Sequence, residues 1–242
     1  MLLSKHVILI TGAGGGLGSV AALSLAQQGA KIILLDKSIP KLERVYDTLL
    51  AANAHEPIMY PFDLAGASEQ DYYELAERIE QKYGVLHGVL HSAVEFTAFE
   101  PVALIKTKDW GHTLNVNLHA PFLLTKVLLP LLEKATQASI VFTLDSYALT
   151  APAYSGAYGV SKIALQGFAS ILAMELESAQ KIRVNSLIPG PVNSPIRKKA
   201  FPGEDKTRLA ELQSLAPVYL YLFGQASIGI TGQTVDARTF HL

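Results

Sequence analysis

The chain has 242 residues, of which 50% are hydrophobic, and this is enough material for the buried core of one α/β domain. With 20 basic and 21 acidic residues its net charge is -1, which argues against nucleic acid as a partner. The absence of cysteine excludes disulfides and thiol chemistry. The first apolar run, about five residues long, is too short for a signal-peptide core or a membrane span, so we expect a cytoplasmic protein with no membrane partner.

Short apolar runs alternate with helical patterns along the whole chain. The runs predict buried strands at residues 7–11, 31–36, 58–62, 88–91, 139–143, 182–188 and 234–236. The helical patterns span residues 17–28, 40–52, 69–83, 108–134, 157–179 and 211–223. This alternation predicts a doubly wound parallel sheet of about seven strands with helices on both faces, in one domain over residues 1–242. A ligand is then expected at the carboxyl ends of the strands.

The first predicted strand ends in a glycine-rich turn, T-G-A-G-G-G-L-G at residues 11–18, which leads into a helix. Glycines allow a sharp turn and leave no Cβ in the way of a pyrophosphate, and the helix N-terminus directs free N–H groups and its dipole at the negative charge. The turn therefore predicts a nucleotide site. Its residues are Gly12, Gly14, Gly15, Gly16, Leu17 and Gly18.

Tyr158 and Lys162 place a phenol and an ammonium group four residues apart, on one face of the predicted helix 157–179. Together with the glycine turn, this Y-x-x-x-K motif resembles the classical short-chain dehydrogenase/reductase family, and the likeness covers essentially the whole chain. Other landmarks of that family stand at Asp36, Asp63, Leu64, Asn117, Asn185, Pro189, Gly190, Ser194 and Gly232. The stretch 197–205 is similar to one bacterial branch of uncharacterised oxidoreductases.

The resemblance implies a Rossmann-type fold and an oxidoreductase that moves hydride between a nicotinamide cofactor and a small alcohol or carbonyl substrate. Tyr158 would exchange a proton with the substrate oxygen, and Lys162 would lower the cost of the phenolate and hold the nicotinamide ribose. Asn117 would kink its helix and anchor a water that leads to the lysine. Further cofactor contacts would come from Asp63, Leu64, Ser92, Ala93, Pro189, Gly190, Val192 and Ser194.

Asp36, at the end of the second predicted strand, favours NAD over NADP. A carboxylate there can accept hydrogen bonds from both ribose hydroxyls, whereas a 2′-phosphate would meet like charge. Gly15 stands where NADP-dependent relatives commonly carry a basic residue. Lys37 could swing toward a phosphate, although its simpler interpretation is a solvated turn residue. We therefore expect NAD as the cofactor, with NADP less favoured.

Two positions depart from the family pattern, and both bear on activity. Val94 stands where the family has a glycine, and its side chain adds bulk close to the nicotinamide ribose. Asp145 stands where the family has its catalytic serine. We expect the neighbouring Ser146 to polarise the substrate; the alternatives for Asp145 are a protonated donor in the serine's place or a turn residue bonded to nearby N–H groups. The alternative function is a cofactor-binding protein with little turnover.

The predicted helices 108–134 and 157–179 are apolar around most of their circumference. The resemblance implies that they pair across a twofold axis, giving a homodimer or homotetramer. The residues expected in this contact are Leu123, Leu124, Val127, Leu128, Leu165, Phe168, Leu172 and Leu176. The irregular stretch at about 189–209 is expected to be a substrate lid that carries both apolar and basic side chains. No metal site is predicted.

Overall fold

Seven parallel strands form the centre of the part of the chain that the computed structural model describes, residues 1–52, 54 and 56–241. They are β1 (Val7–Thr11), β2 (Lys31–Asp36), β3 (Ile58–Pro61), β4 (Gly88–His91), β5 (Ala138–Thr143), β6 (Ile182–Ile188) and β7 (Thr234–Asp236). Their order in the sheet is β3-β2-β1-β4-β5-β6-β7. The predicted doubly wound sheet is confirmed, and the strand ends differ from the prediction by at most one residue.

Helices connect the strands. They are α1 (Gly16–Gln27), α2 (Ile39–Ala51), α3 (Glu69–Tyr83), α4 (Thr107–Leu114), α5 (Ala120–Glu133), α6 (Ser146–Leu149), α7 (Gly156–Leu176), α8 (Pro195–Ala200) and α9 (Ala216–Phe223). Helix α3 shows how local sequence sets such bounds. Ser68 and Asp71 form a reciprocal capping box at its start, and Gly84 ends it with a left-handed backbone, φ 70°.

The two faces of the sheet are covered by different helices. Along β1, Ile8 and Ile10 contact one set of helices and Leu9 contacts the other, which follows the two-residue period of a strand. Helices α1, α2 and α9 pack on the first face, and α3, α5 and α7 on the second. Because both faces are buried, the accessible polar edge lies where the strands end, and this positions the site.

The predicted helix 108–134 contains an interruption. Between α4 and α5, residues Asn115–His119 form a π-helical turn, which inserts one extra residue into the helix. The predicted helix 211–223 also starts later, because Leu212–Leu215 form a 3₁₀ segment before Pro217 occupies the first turn of α9. The expected lid, residues 189–209, is irregular apart from α8 and the 3₁₀ turn Lys206–Arg208.

Two helical stretches, Thr107–Glu133 and Gly156–Ala179, are long and apolar enough to span a membrane by length and composition. Of the apolar window in each, 56% and 50% is buried inside the fold. Both stretches pack against the sheet, and core helices pass the same test of length and composition.

The side chains expected to pair between subunits face the protein's own core instead. Those buried in it are Leu123, Leu124, Val127, Leu128, Leu165 and Leu172, and Phe168 and Leu176 pack against the same cluster. The apolar residues that these helices expose are Phe122, Val160, Ile163, Ile171 and Met174. The six buried side chains are therefore covered by the protein's own core, whereas Phe168 and Leu176 are only partly buried.

Candidate functional site

The carboxyl ends of the strands open into one cleft of about 1510 Å³. Every residue predicted to bind the cofactor lines it: Gly12, Gly14, Gly15, Gly16, Leu17, Gly18, Asp36, Asp63, Leu64, Ser92, Ala93, Lys162, Pro189, Gly190, Val192 and Ser194. Tyr158, Lys162 and Ser146 line the same cleft, whereas Asn117 lies buried behind its wall. The topology thus brings the predicted site residues together.

The glycine turn after β1 is packed too tightly for side chains. A Cβ at Gly12, which has a φ of 64°, would lie 2.7 Å from the Cα of Ala93. One at Gly18 would lie 2.3 Å from the carbonyl oxygen of Gly12. One at Gly14 would lie 2.6 Å from the Cβ of Lys41. Glycine is therefore required at these positions for the turn to close. The turn brings α2 and the segment after β4 close to the place where the phosphates of a dinucleotide are expected.

The segment after β4 is fastened to β1. The Oγ1 of Thr11 accepts hydrogen bonds from the N–H groups of Ser92 and Ala93, both at 3.0 Å. Val94, where the resemblance leads one to expect glycine, does not adopt a positive φ. Its side chain packs against the buried cluster around Phe96 and Tyr158. The valine is accommodated without left-handed backbone strain, and it narrows the cleft beside the expected nicotinamide position.

The π-helical turn places Asn117 where it can hold the same segment. Its Oδ1 accepts from the N–H of Glu95 at 2.7 Å, and its Nδ2 donates to the carbonyl of Glu95 at 2.9 Å and to the Oγ of Ser161 at 3.0 Å. Both amide hydrogens are thus used by protein groups. Asn117 positions the segment after β4 against α7, while the expected water that leads to Lys162 stays a prediction.

Asp145, not Ser146, lies beside Tyr158. The phenol hydroxyl of Tyr158 donates to Oδ2 of Asp145 at 2.6 Å, and Oδ1 of Asp145 accepts from the N–H of Tyr147 at 2.8 Å. Asp145 therefore caps α6, and Ser146 is the first residue of that helix. The placement expected for Ser146 is corrected, because Asp145 contacts the Tyr158 hydroxyl and Ser146 starts α6, while a role of Ser146 toward the substrate stays a prediction.

Burial and charge favour the protonated form of Tyr158. Burial raises the pKa of its phenol well above the usual range, and the charge of Asp145 and its hydrogen bond raise it further. Lys162 is buried beneath it and donates to the carbonyl of Thr143 at 2.8 Å, and this burial lowers the pKa of its ammonium to about 8. In this state Tyr158 is a proton donor, and Lys162 supplies positive charge near its ring.

Aromatic side chains form the wall next to Tyr158. Phe96 lies 5.2 Å from the Tyr158 ring between centroids, Phe99 lies 4.9 Å from Phe96, and Tyr147 and Phe201 each contact Phe99. No motif in the sequence points to Phe96, Phe99 or Tyr147. Their spacing carries no periodic signal, because three separate segments supply the rings.

The segment that contains α8 closes over this wall. The Oγ of Ser194 accepts from the N–H of Arg197 at 3.1 Å and so caps α8 while it lines the cleft. Arg197 forms an ion pair with Glu204 at 2.5 Å, and the Nζ of Lys199 donates to the carbonyl of Phe96 at 2.7 Å. Arg197 and Lys199, two of the three basic residues of α8, thus have protein partners in this structure.

At the other end of the cleft, Asp36 organises backbone turns. Its Oδ2 accepts from the N–H of Gly14 at 3.1 Å and its Oδ1 from the N–H of Ser38 at 3.0 Å. The basic residues Lys37, Lys41 and Arg44 line the cleft nearby. These three residues are spaced four and three positions apart around the start of α2. Such helical spacing places side chains on one face, and this was the signal in the sequence for a basic face.

The chain is similar to known proteins over nearly its whole length. The family model described as short chain dehydrogenase matches residues 6–205. The uncharacterized oxidoreductase YciK of Escherichia coli (strain K12) is 37% identical over 98% of this chain and 93% of its own. A short chain dehydrogenase structure from Shigella flexneri 2a, complexed with NADP, is 37% identical with a TM-score of 0.94 and covers 98% of each chain. One from Escherichia coli CFT073, complexed with NADPH, is 38% identical with a TM-score of 0.94 and the same coverage.

These two complexes contradict the expectation of NAD. That expectation assumed that Asp36 presents an unopposed negative charge to the ribose. In the structure two backbone N–H groups bind its carboxylate, and Lys41 and Arg44 line the same cleft, as does Lys37, which is paired with Glu95. The negative charge of Asp36 is therefore accompanied by hydrogen-bond donors and by positive charges in the same cleft.

Proposed function

Because the chain belongs to the short-chain dehydrogenase family, we propose that it transfers hydride between NADP(H) and a small alcohol or carbonyl compound, with Tyr158 as the proton-exchanging group. One observation carries this proposal. The hydroxyl of Tyr158 and the buried ammonium of Lys162 lie in the same cleft as the glycine turn. A nucleotide bound by that turn can extend along the cleft to the phenol, which is the arrangement that hydride transfer with proton exchange requires.

The residues of the cleft fit a dinucleotide. The turn at Gly12, Gly14 and Gly18 leaves a cradle that Cβ atoms would fill. The buried Oγ of Ser92 has no hydrogen-bond partner among the described residues, and neither has the Oγ1 of Thr143. Both hydroxyls belong to residues that line the cleft and are available to a ligand. When bound, the nicotinamide would supply or accept the hydride.

The chain's own groups would manage the proton. Tyr158 would donate its hydroxyl proton to the substrate oxygen during reduction and take it back during oxidation. Lys162 would stabilise the phenolate that results, since it is the buried cation nearest to the ring, with its Nζ 5.9 Å from the ring centroid. The aromatic wall and α8 would exclude water from the reacting groups.

Lys41 and Arg44 are expected to bind the 2′-phosphate of NADP(H). Lys41→Ala and Arg44→Ala should each weaken NADPH binding roughly tenfold and leave NADH binding nearly unchanged, because each removes one charge-assisted contact. Lys41→Ala keeps the Cβ that packs on Gly14, so the turn is preserved. Equilibrium fluorescence titration with both cofactors measures this.

Lys181→Ala is the matched control, because this exposed lysine precedes β6, which lies in the other half of the sheet from β2 and α2. Its affinity for both cofactors should equal that of the wild type. If the Lys41 and Arg44 variants lost affinity for NADPH and NADH equally, these residues would not be binding the 2′-phosphate.

The proposed activity is tested by separate measurements of binding and turnover. NADPH binding should be seen by titration, and oxidation of NADPH by absorbance with a panel of small aldehydes and ketones. Binding without turnover across the panel would favour the alternative, a cofactor-binding protein with little activity. The position of Asp145 against the hydroxyl of Tyr158 is the observation on which that alternative rests.

We further propose that the exposed face of α7 pairs with a second copy of the chain. Val160, Ile163, Ile171 and Met174 form one apolar stripe along this helix, and the last two are 58% and 76% exposed. Ile171→Glu and Met174→Glu should convert a dimer or tetramer into smaller species, because each places a charge in the contact. Light scattering at micromolar concentration measures the mass.

Leu50→Glu is the control for that experiment, since Leu50 is also exposed, at 47%, but lies on α2. It should leave the mass unchanged. A wild-type protein that is monomeric at micromolar concentration would contradict the pairing.

A further inference from the structure

The polar group that faces the hydroxyl of Tyr158 is a carboxylate. Asp145 accepts a hydrogen bond on each of its two oxygens, from Tyr158 at 2.6 Å and from the N–H of Tyr147 at 2.8 Å. The negative charge of Asp145 adds to burial in raising the pKa of the Tyr158 phenol. The reacting end of the cleft therefore presents a negative charge to its ligand.

A negative charge at this place suits a carbonyl substrate poorly. Reduction of C=O builds negative charge on the oxygen, and that oxygen must approach the proton of Tyr158, which points at Asp145. Asp145 is the charged group in direct contact with the Tyr158 hydroxyl. Of the nearby cations, Arg197 is paired with Glu204, whereas Lys199 and Lys162 donate to the carbonyls of Phe96 and Thr143 and keep their charge.

A positive charge at the reacting atom would be stabilised in the same place. The carboxylate of Asp145 would attract it, and a cationic N–H could donate to Oδ2. The rings of Phe96, Phe99, Tyr147 and Phe201 form a wall against which a planar cation can pack. Carboxylate and aromatic wall together have the chemistry of a site for an organic cation.

We propose that the cleft takes iminium compounds, planar cations with a C=N⁺ bond, in preference to neutral ketones, and that Asp145 is the residue that selects them. This inference rests on the proposed hydride transfer and extends it from C=O to C=N⁺.

The reaction balances with the reduced nicotinamide as the only other reactant. The iminium carbon gains a hydride and forms a C–H bond, and the π pair of the C=N⁺ bond becomes the lone pair of the nitrogen. The substrate is reduced by two electrons to an amine, and the nicotinamide is oxidised by two. The amine then takes a proton from solvent, and Asp145 stabilises the ammonium ion that forms.

Binding of non-reacting probes to the NADPH-bound protein tests the charge preference directly. The probes are the N,N-dimethyl tetrahydroisoquinolinium cation and tetralol, a neutral bicyclic alcohol of similar size, and calorimetry gives both affinities. The wild type should bind the cation at least about tenfold more tightly than tetralol. Asp145→Asn should lose that preference and keep its affinity for tetralol.

Turnover with NADPH gives the second readout. The substrates are the N-methyl dihydroisoquinolinium cation and tetralone, with a reaction lacking protein as background. Asp145→Asn and Asp145→Ser should lower kcat/KM for the iminium about tenfold or more while the value for tetralone stays constant or rises. Asparagine and serine also cap helices, so α6 should remain intact in both variants.

Tyr158→Phe is the matched control for binding, because it removes the hydroxyl and leaves the carboxylate. It should bind the cation at least as tightly as the wild type does. The proposal is overturned if Asp145→Asn binds the cation as tightly as the wild type, or if Asp145→Ser reduces both substrates faster than the wild type. Failure of NADPH to bind would refute the proposed function instead, and cation binding to the protein alone, with and without Asp145, would still decide this inference.

Discussion

Tyr158→Phe is expected to lower the turnover of carbonyl reduction by a factor on the order of a thousand, within the usual range for loss of a general acid. The phenol is the proton donor that faces the cleft, and burial together with Asp145 keeps it protonated. Phenylalanine keeps the ring contact with Phe96, so NADPH affinity should change by less than about twofold. Steady-state kinetics with a ketone, together with a cofactor titration, separate the two effects.

Tyr147→Phe is the matched control for that variant. Tyr147 belongs to the same aromatic wall, but it contacts Asp145 through its backbone N–H, which the substitution leaves in place. Its turnover should stay within a few-fold of the wild type. If Tyr158→Phe retained wild-type activity toward carbonyl compounds, the assignment of the proton donor would be refuted.

Gly18→Ala is expected to remove cofactor binding and to lower the free energy of unfolding by about 3 kcal/mol, a value typical of an overpacked core position. The added methyl group would lie 2.3 Å from the carbonyl oxygen of Gly12 and 2.9 Å from the Cα of Ala13. Both atoms belong to the backbone, so no side-chain rotation can relieve the contact. Chemical denaturation gives the stability, and titration with NADPH gives the binding.

Gly111→Ala is the control for Gly18→Ala, because it adds the same methyl group at a position with free space. Gly111 lies inside α4, and no described atom lies within 4 Å of a Cβ built there. Alanine should stabilise the helix by roughly 0.5–1 kcal/mol and leave the cofactor affinity unchanged. If both variants behaved alike, the tight packing of the glycine turn could not be the cause of the loss in Gly18→Ala.

The fold followed closely from the sequence, because short runs rich in apolar residues alternate with helical patterns, which is typical of a parallel sheet covered on both faces. The positions of the cleft residues followed from the same topology. The helical pattern alone did not show the interruption at Asn117, which followed only from the family resemblance, since the hydrogen bonds that hold Asn117 are tertiary contacts to Glu95 and Ser161.

The expected placement of Ser146 and the choice of NAD depended in the same way on a single residue. The choice of Ser146 depended on how the chain turns after β5. In the structure the hydrogen bond from the N–H of Tyr147 to Asp145 accompanies that turn, and the sequence alone does not reveal this contact. The choice of NAD weighed Asp36 alone, whereas the charge at that place is a sum over α2, including Lys41 and Arg44. Electrostatic preference is a property of a surface, and a single residue in a sequence does not report it.

The central position of β1 has a consequence for how the chain folds. Its partners are β2 and β4, and Val7 donates its N–H to the Nδ1 of a histidine 80 residues further along, His87. Since parallel strands cannot be joined by a hairpin, each pairing requires a long loop to close first. Folding of this domain is therefore governed by long-range contacts, and it should be slower than that of a helical bundle of equal size. Until these pairings form, the edges of the apolar central strands are open to incorrect pairing, so the partly folded chain should be more prone to aggregate than the native protein.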